Sequence, residues 1–222
     1  MAAATMDIEQ ARFNMIEQQI RPWQVLDPTV LSLLAVMKRE DFVPAEHKDL
    51  AFADVEIPIG QGQAMLAPKM EARILQELGI KNTDKVLEIG TGTGYMAALI
   101  AARAEFVYTV EIDPALVELA RKNLKQAGVV NVSVDLGDGA KGWPLYAPYD
   151  VIVLSGSTPV LPEAILHNLK IGGRLVAVVG ETPSMQVQLV TRTEENAFNT
   201  INVFETVVPP LTNAMQNSKF VF

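Results

Sequence analysis

Between about residues 81 and 190, short apolar runs alternate with stretches of helical period. The runs at 86–90, 106–111, 131–135, 149–154 and 173–179 read as strands, and 94–103, 114–127 and 160–169 as helices. Pro114 stands where the second of these helices begins and Gly128 just beyond its end, the usual placement of those two residues. Further strand pieces follow at 185–191 and 200–208. Alternating strand and helix predicts an α/β fold, a doubly wound and mainly parallel sheet with helices on both faces.

The first 80 residues have a different rhythm. Phe13, Ile16 and Ile20 recur at helical spacing and predict a helix over 8–20, ended at Arg21-Pro22 because proline disfavours helix in the residue before it. Asp27-Pro28 opens a second helix with Val30, Leu31, Leu34 and Met37 on its apolar side, closing at Asp41-Phe42-Val43-Pro44. Asp27 suits the cap and Pro28 the first turn. Short strand-like pieces and a glycine loop occupy 52–63, and a third helix starts at Ala67-Pro68 with Met70, Ile74, Leu75 and Leu78 on one face. Gly79 is its expected stop. The chain carries no repeat, low-complexity tract or flexible linker. The expected organisation is therefore an N-terminal helical segment, 1–80, packed on a core of 81–222.

The core is built around Val86-Leu87-Glu88-Ile89-Gly90-Thr91-Gly92-Thr93-Gly94-Tyr95, a buried strand running into a glycine turn and then a helix. Glycines there permit positive φ and close backbone approach, and such a turn at a strand's carboxyl end is a place for an extended cofactor to lie. The spacing E-x-G-x-G-x-G is not that of a dinucleotide turn, which needs its third glycine three residues after the second. Nor does a Lys-Ser/Thr pair follow, as a phosphate loop requires. Glu111 ends the next strand, about 20 residues after the turn, at the offset of a ribose-binding acid. Alone, such a carboxylate is usually solvated; after this turn, ribose is the better reading. Asp138, within Gly137-Asp138-Gly139, has two readings, a turn residue capping its own loop and a ligand acceptor.

Composition narrows the classes. Apolar residues are 49% of the 222, enough for a sizeable core, and the net charge is −8. That balance argues against nucleic acid as a partner, since phosphate binding needs a positive face, and lends nothing to an anionic membrane surface. There is no cysteine, hence no disulfide, thiolate metal site or cysteine nucleophile. No signal peptide is expected from the first residues, and no apolar run reaches the ~18 residues of a bilayer span. A cytoplasmic protein fits these features. His47 and His167 stand far apart and read as structural or exposed, and no cluster has metal-ligand spacing, so no metal is expected.

The glycine turn resembles motif I of the S-adenosylmethionine-dependent methyltransferases, and the whole chain looks like a protein-L-isoaspartate O-methyltransferase. The resemblance rests on Met15-Ile16-Glu17-Gln18-Gln19-Ile20-Arg21, Asp41-Phe42-Val43-Pro44, Ile57-Pro58-Ile59-Gly60-Gln61-Gly62-Gln63 and Val107-Tyr108-Thr109-Val110-Glu111. It continues in Gly137-Asp138-Gly139-Ala140-Lys141-Gly142-Trp143-Pro144, Ala147-Pro148-Tyr149-Asp150 and Val207-Val208-Pro209-Pro210-Leu211. It implies a Rossmann-like core of the class I methyltransferase type and S-adenosylmethionine as cofactor, leaving S-adenosylhomocysteine. It implies repair of proteins or peptides by methylation of isoaspartyl carboxylates. By the same resemblance the cofactor would meet Glu88, Gly90, Thr91, Gly92, Thr93, Gly94 and Tyr95, with the methionine part on the main chain around Gly90 to Thr93. Glu111 and Ile112 would lie at the ribose, Asp138 and Gly139 at the adenine, and Ser155 at the sheet's carboxyl edge near cofactor or acceptor. Trp143 reads as a packed core or wall residue rather than a catalytic one.

The acceptor loop departs from the family's Gly-Gln-Thr-Ile-Ser-x-Pro. It reads Gly62-Gln63-Ala64-Met65-Leu66-Ala67-Pro68, so both hydroxyls are gone and Leu66 stands where the serine usually assigned to catalysis would be. The family's Thr-Ala-Ala after the fourth core strand is Ser155-Gly156-Ser157 here. No catalytic residue is therefore assigned, and the loop residues Gln63, Ala64, Met65 and Leu66 are the candidates. An isoaspartyl carboxylate is ionised near pH 7 and needs no general base, so the missing hydroxyl would have oriented the nucleophile. A more apolar small-molecule acceptor, or a cofactor-binding module of weak activity, are the rival expectations. Lys69, Glu71 and Arg73 on the third helix read as a solvated face from which one side chain can still reach an acceptor.

Overall fold

The computed structural model describes residues 7–217. The chain divides into two compact units, Met1–Gln76 and Glu77–Phe222.

In the first unit, α1 (Ile8–Asn14) starts at Asp7, whose carboxylate accepts from the Gln10 amide. The predicted helix does continue to Ile20, but through a π-helical stretch, Met15–Ile20. The wider turn carries Met15, Ile16 and Ile20 all inside. The second helix, α2 (Pro28–Val36), is capped by Asp27 as expected. It ends earlier than the apolar pattern predicts. Met37 is extended, and a 3-10 turn, Arg39–Asp41, follows. This break draws the Arg39 side chain inward, to 1% exposure. Phe52 to Val55 forms turns rather than a strand. A small antiparallel hairpin follows, β1 (Ile57–Gly60) with β2 (Gln63–Met65). Its tight end needs positive φ at Gly60, Gln61 and Gly62. The third helix, α3, is Pro68–Leu78.

The second unit is a seven-stranded sheet in the order β5-β4-β3-β6-β7-β8-β9. Its strands are β3 (Lys85–Ile89), β4 (Phe106–Glu111), β5 (Val132–Leu136), β6 (Tyr149–Thr158), β7 (Leu169–Glu181), β8 (Ser184–Glu194) and β9 (Ala197–Thr206). The first five are parallel, and the last two add on antiparallel. The helices are α4 (Tyr95–Ala101), α5 (Pro114–Gln126) and a four-residue α6 (Glu163–Leu166). The last is much shorter than the predicted 160–169. Asn168 already pairs with the sheet through Tyr149, and β7 begins at Leu169.

Parallel strands covered on both faces are continuously apolar. Accordingly Leu87, Ile89, Val110, Ile152, Leu154, Leu175 and Ala177 share one core cluster with Ile165 of α6. All seven residues of α4 are buried. From β3 the chain winds outward through β4 to β5, then returns to the other side of β3 as β6 and β7. The strand order thus reverses between β3 and β6, and ligands in open α/β sheets bind at the carboxyl ends of strands at such a reversal. Among the described residues, no helix is long and apolar enough to cross a membrane.

Candidate functional site

The glycine turn leaves β3 at the reversal point. Gly90, Gly92 and Gly94 have φ of 93°, 53° and 88°, a region closed to most side chains. Gly94 also admits α5, since a Cβ there would lie 3.4 Å from Ala120 and 3.2 Å from Leu124. The turn stands on a buried polar network. The Thr109 hydroxyl donates to Glu88 Oε2 at 2.6 Å, the Ser155 hydroxyl donates to Glu88 Oε1 at 2.8 Å, and Thr91 Oγ1 lies 2.6 Å from Thr109 Oγ1. Asn123 donates to the Thr93 carbonyl at 3.0 Å. Glu88, one of the residues expected at the cofactor, is fully buried. A carboxylate can lie under the turn only because hydroxyls satisfy it, so it shapes the turn from beneath. Thr91, Thr93 and Tyr95 are buried too.

Glu111, at the tip of β4, folds back onto the turn. Its Oε2 accepts from the Gly92 amide at 2.9 Å, and its Oε1 from the amides of Ile112 and Asp113 at 2.8 and 3.0 Å. Its carbonyl accepts from the Gly137 amide at 2.9 Å, which brings the Gly-Asp-Gly loop alongside. That loop also meets β3, for a Cβ on Gly139 would lie 2.9 Å from Ile89 Cγ2. Gly137 is flattened against Trp143, whose ring would be 2.5 Å from an added Cβ. Asp138 Oδ1 accepts from the Ala140 amide at 3.0 Å, the turn-capping contact, and Oδ2 accepts from Asn213 Nδ2 at 2.9 Å. Gly90, Glu111, Ile112, Asp138, Gly139 and Ser155 therefore gather at one edge of the sheet. Among the described residues, no group of three or more His, Cys, Asp and Glu has the arrangement of a metal site.

In the first unit, Gln63 and Ala64 of the acceptor loop are partly exposed, while Met65 and Leu66 are 5% exposed each. The charges of α3 depart from expectation. Glu71 is buried against Arg39, and only Lys69 and Arg73 stay partly open. Lys69 pairs with Asp54 at 2.6 Å and lies 4.3 Å over the Trp23 ring; Arg73 donates to the Trp23 carbonyl at 2.9 Å. Burial pushes the Glu71 carboxyl up to about 7, and Arg39 pulls it back only in part. The Arg39 guanidinium also donates to the Ala51 carbonyl at 3.0 Å and the Leu66 carbonyl at 2.7 Å. Arg39 thus ties the acceptor loop to the rest of its unit. The only sequence signal for it was its position three residues ahead of Phe42-Val43-Pro44. Asn213 had none.

A family model described as protein-L-isoaspartate(D-aspartate) O-methyltransferase matches residues 10–216. The chain belongs to that family. Members of the protein-L-isoaspartate O-methyltransferase family are methyltransferases dependent on S-adenosylmethionine. A relative of that name from Koribacter versatilis is 43% identical over 181 residues, 82% of this chain and 81% of its own. Another, from Protochlamydia amoebophila, is 42% identical over 80% of this chain and 84% of its own. A solved protein-L-isoaspartate O-methyltransferase superposes with a TM-score of 0.77 at 23% identity, over 92% of this chain and 66% of that one. A putative one from Plasmodium falciparum, solved with S-adenosyl-L-homocysteine, gives 0.72 at 17% identity over 94% and 99%. At those identities the two structures speak for the fold, a class I methyltransferase sheet.

Proposed function

We propose that this methyltransferase transfers a methyl group from S-adenosylmethionine to isoaspartyl carboxylates of protein or peptide chains, and that it works in the cytoplasm. The observation that carries the reading is the meeting of the glycine turn, the Glu111 carboxylate and the Gly-Asp-Gly loop at the sheet's reversal point. In this reading the main chain of Gly90, Thr91, Gly92 and Thr93 holds the methionine end. Glu111 takes the ribose: an ionised carboxylate offers about four lone-pair positions, and with two amides on Oε1 and one on Oε2 the remaining acceptor position is on Oε2. Asp138 accepts from the adenine amino group beside the Gly139 backbone. These residues fit such a cofactor in kind, because glycines bare the main chain while two acidic side chains stand where hydroxyl and amino donors would arrive.

The cofactor supplies an electrophilic methyl group: a carboxylate oxygen bonds to it as the carbon–sulfur bond breaks and its electron pair goes to sulfur, leaving an ester and S-adenosylhomocysteine. No proton moves, so the chain's task is to position and to exclude water. On the acceptor side that task falls to Gln63, Ala64, Met65 and Leu66, held through Arg39. Without the serine, one hydrogen bond to the charged nucleophile is missing, ~1.5–3 kcal/mol, or about 10- to 150-fold if felt in the transition state.

The test is incubation with isotopically labelled cofactor and an isoaspartyl peptide, with the aspartyl peptide as control. Methyl ester on the first alone is expected, and Leu66→Ser should raise its yield. No ester above blank from either variant would overturn the repair reading. Ester on a panel of small apolar acids instead would move the acceptor class.

A further inference from the structure

Beyond β9, the chain returns over the carboxyl edge of the sheet as a short strap. Ser157, near the end of β6, makes three hydrogen bonds to it. Its amide donates to the Pro209 carbonyl at 2.9 Å, its hydroxyl donates to the Val208 carbonyl at 2.9 Å, and its carbonyl accepts from the Leu211 amide at 2.8 Å. Leu211 then lies against two positions without side chains. A Cβ on Gly90 would be 3.1 Å from its Cδ2, and a Cβ on Gly156 would be 3.0 Å. This accounts for two of the three departures in Ser155-Gly156-Ser157: Gly156 makes room for Leu211, and the Ser157 hydroxyl anchors the strap. The next turn, closed by the Ala214 amide on the Leu211 carbonyl at 3.1 Å, puts Asn213 at φ 60°. Asparagine accepts that left-handed geometry. From there its amide reaches Asp138 Oδ2 at 2.9 Å.

Asp138 is exposed, and among the described residues its other hydrogen bond is to the amide two residues on. A carboxylate held by one oxygen is free to rotate about its last bond; held by both, its plane is set. We propose that Asn213 is a positioning residue for nucleobase choice: by fixing the Asp138 carboxylate, it favours a purine with an amino group at position 6 over one with a carbonyl there. The inference rests on the reading of Asp138 as the adenine acceptor. A carboxylate only accepts, so an amino group pairs with it while a carbonyl oxygen is repelled. That discrimination is sharp only if the carboxylate cannot turn away.

The experiment is calorimetric titration of the full chain with S-adenosylhomocysteine and with S-inosylhomocysteine, whose base carries the carbonyl. Asn213→Ala should weaken the adenosyl compound on the order of tenfold and the inosyl compound less, so that their affinity ratio narrows. Asn213→Asp, equal in shape, turns a donor into a like charge and should lose at least as much. Without ligand Asn213→Asp should melt nearly as the native chain does, since the side chain is exposed and aspartate tolerates the left-handed backbone, and Asn213→Ala only a few degrees lower. If Asp138→Ala loses affinity while both Asn213 variants keep native affinities and ratio, the proposal fails and the cofactor reading stands. Equal weakening of both compounds, or tighter binding by Asn213→Ala, also overturns it. If Asp138→Ala binds as the native chain does, both readings fall.

Discussion

Replacing Glu111 with glutamine tests how the proposed cofactor edge is held together. The native carboxylate serves three amides, Gly92 through one oxygen and Ile112 with Asp113 through the other, and is only 6% exposed. Glutamine keeps the shape but has one oxygen, and its NH2 must face an N–H on the other side. Either Gly92 or the Ile112–Asp113 pair loses its acceptor. One bond to a charged group is worth ~1.5–3 kcal/mol, and the bonds that survive become neutral and roughly half as strong. The summed loss is about 2–4 kcal/mol, or roughly 5–15 °C in melting temperature for a chain of this size. Because Gly92 belongs to the turn itself, S-adenosylhomocysteine should bind at least about tenfold more weakly. Thermal melting with and without that compound, together with calorimetry, reads both quantities. A Glu111→Gln protein that melts and binds as the native one does would refute the account of Glu111 as the clasp of this edge.

Three further outcomes follow from the geometry. With the Glu71 carboxyl pushed up to about 7 in the folded chain, the folded state binds the extra proton between its unfolded value near 4.5 and 7. The stability it contributes is thus full below about 4.5 and is lost as pH rises through 7. In urea titrations from pH 5 to 8, the native stability minus that of Glu71→Gln should fall by up to about 3 kcal/mol, whereas parallel curves would show that Arg39 holds the carboxyl at its ordinary value. Gly137→Ala sets a methyl 2.5 Å from the Trp143 ring and should cost about 1–3 kcal/mol with a blue- or red-shifted tryptophan emission; unchanged emission and stability would mean the loop has room. Ser155→Ala removes a hydroxyl that donates to buried Glu88 and should cost about 1–3 kcal/mol in a melt; native stability would show that Glu88 is satisfied without it.

The core strands and their turn are legible because their signals are local. Val86 to Gly94 carries strand, turn and helix start in one run, and Pro114 and Gly128 bracket α5 as predicted. The site's edge was legible in part: Glu111 and Asp138 could be picked out by position, yet nothing local says that Glu88 turns inward to two hydroxyls on other strands. What stayed hidden depends on pairs distant in sequence. Glu71 looks like one more charge on an amphipathic helix until Arg39, 32 residues earlier, is brought against it. Asn213 meets Asp138 across 75 residues. The apolar pattern overran α2 because Met37 keeps helical spacing after the backbone has left the helix, and it overran α6 because Leu169 belongs to both a helical and a strand period.

The chain has two tryptophans, one in each compact unit. Trp23 has the Lys69 ammonium over its ring, and the Trp143 ring lies against the glycine that begins the Gly-Asp-Gly loop. The molecule therefore carries two intrinsic optical probes in distinct surroundings. Trp23→Phe would leave a single fluorophore beside the Gly-Asp-Gly loop, and Trp143→Phe a single one near α3, so that changes in either unit are readable by emission without any attached dye.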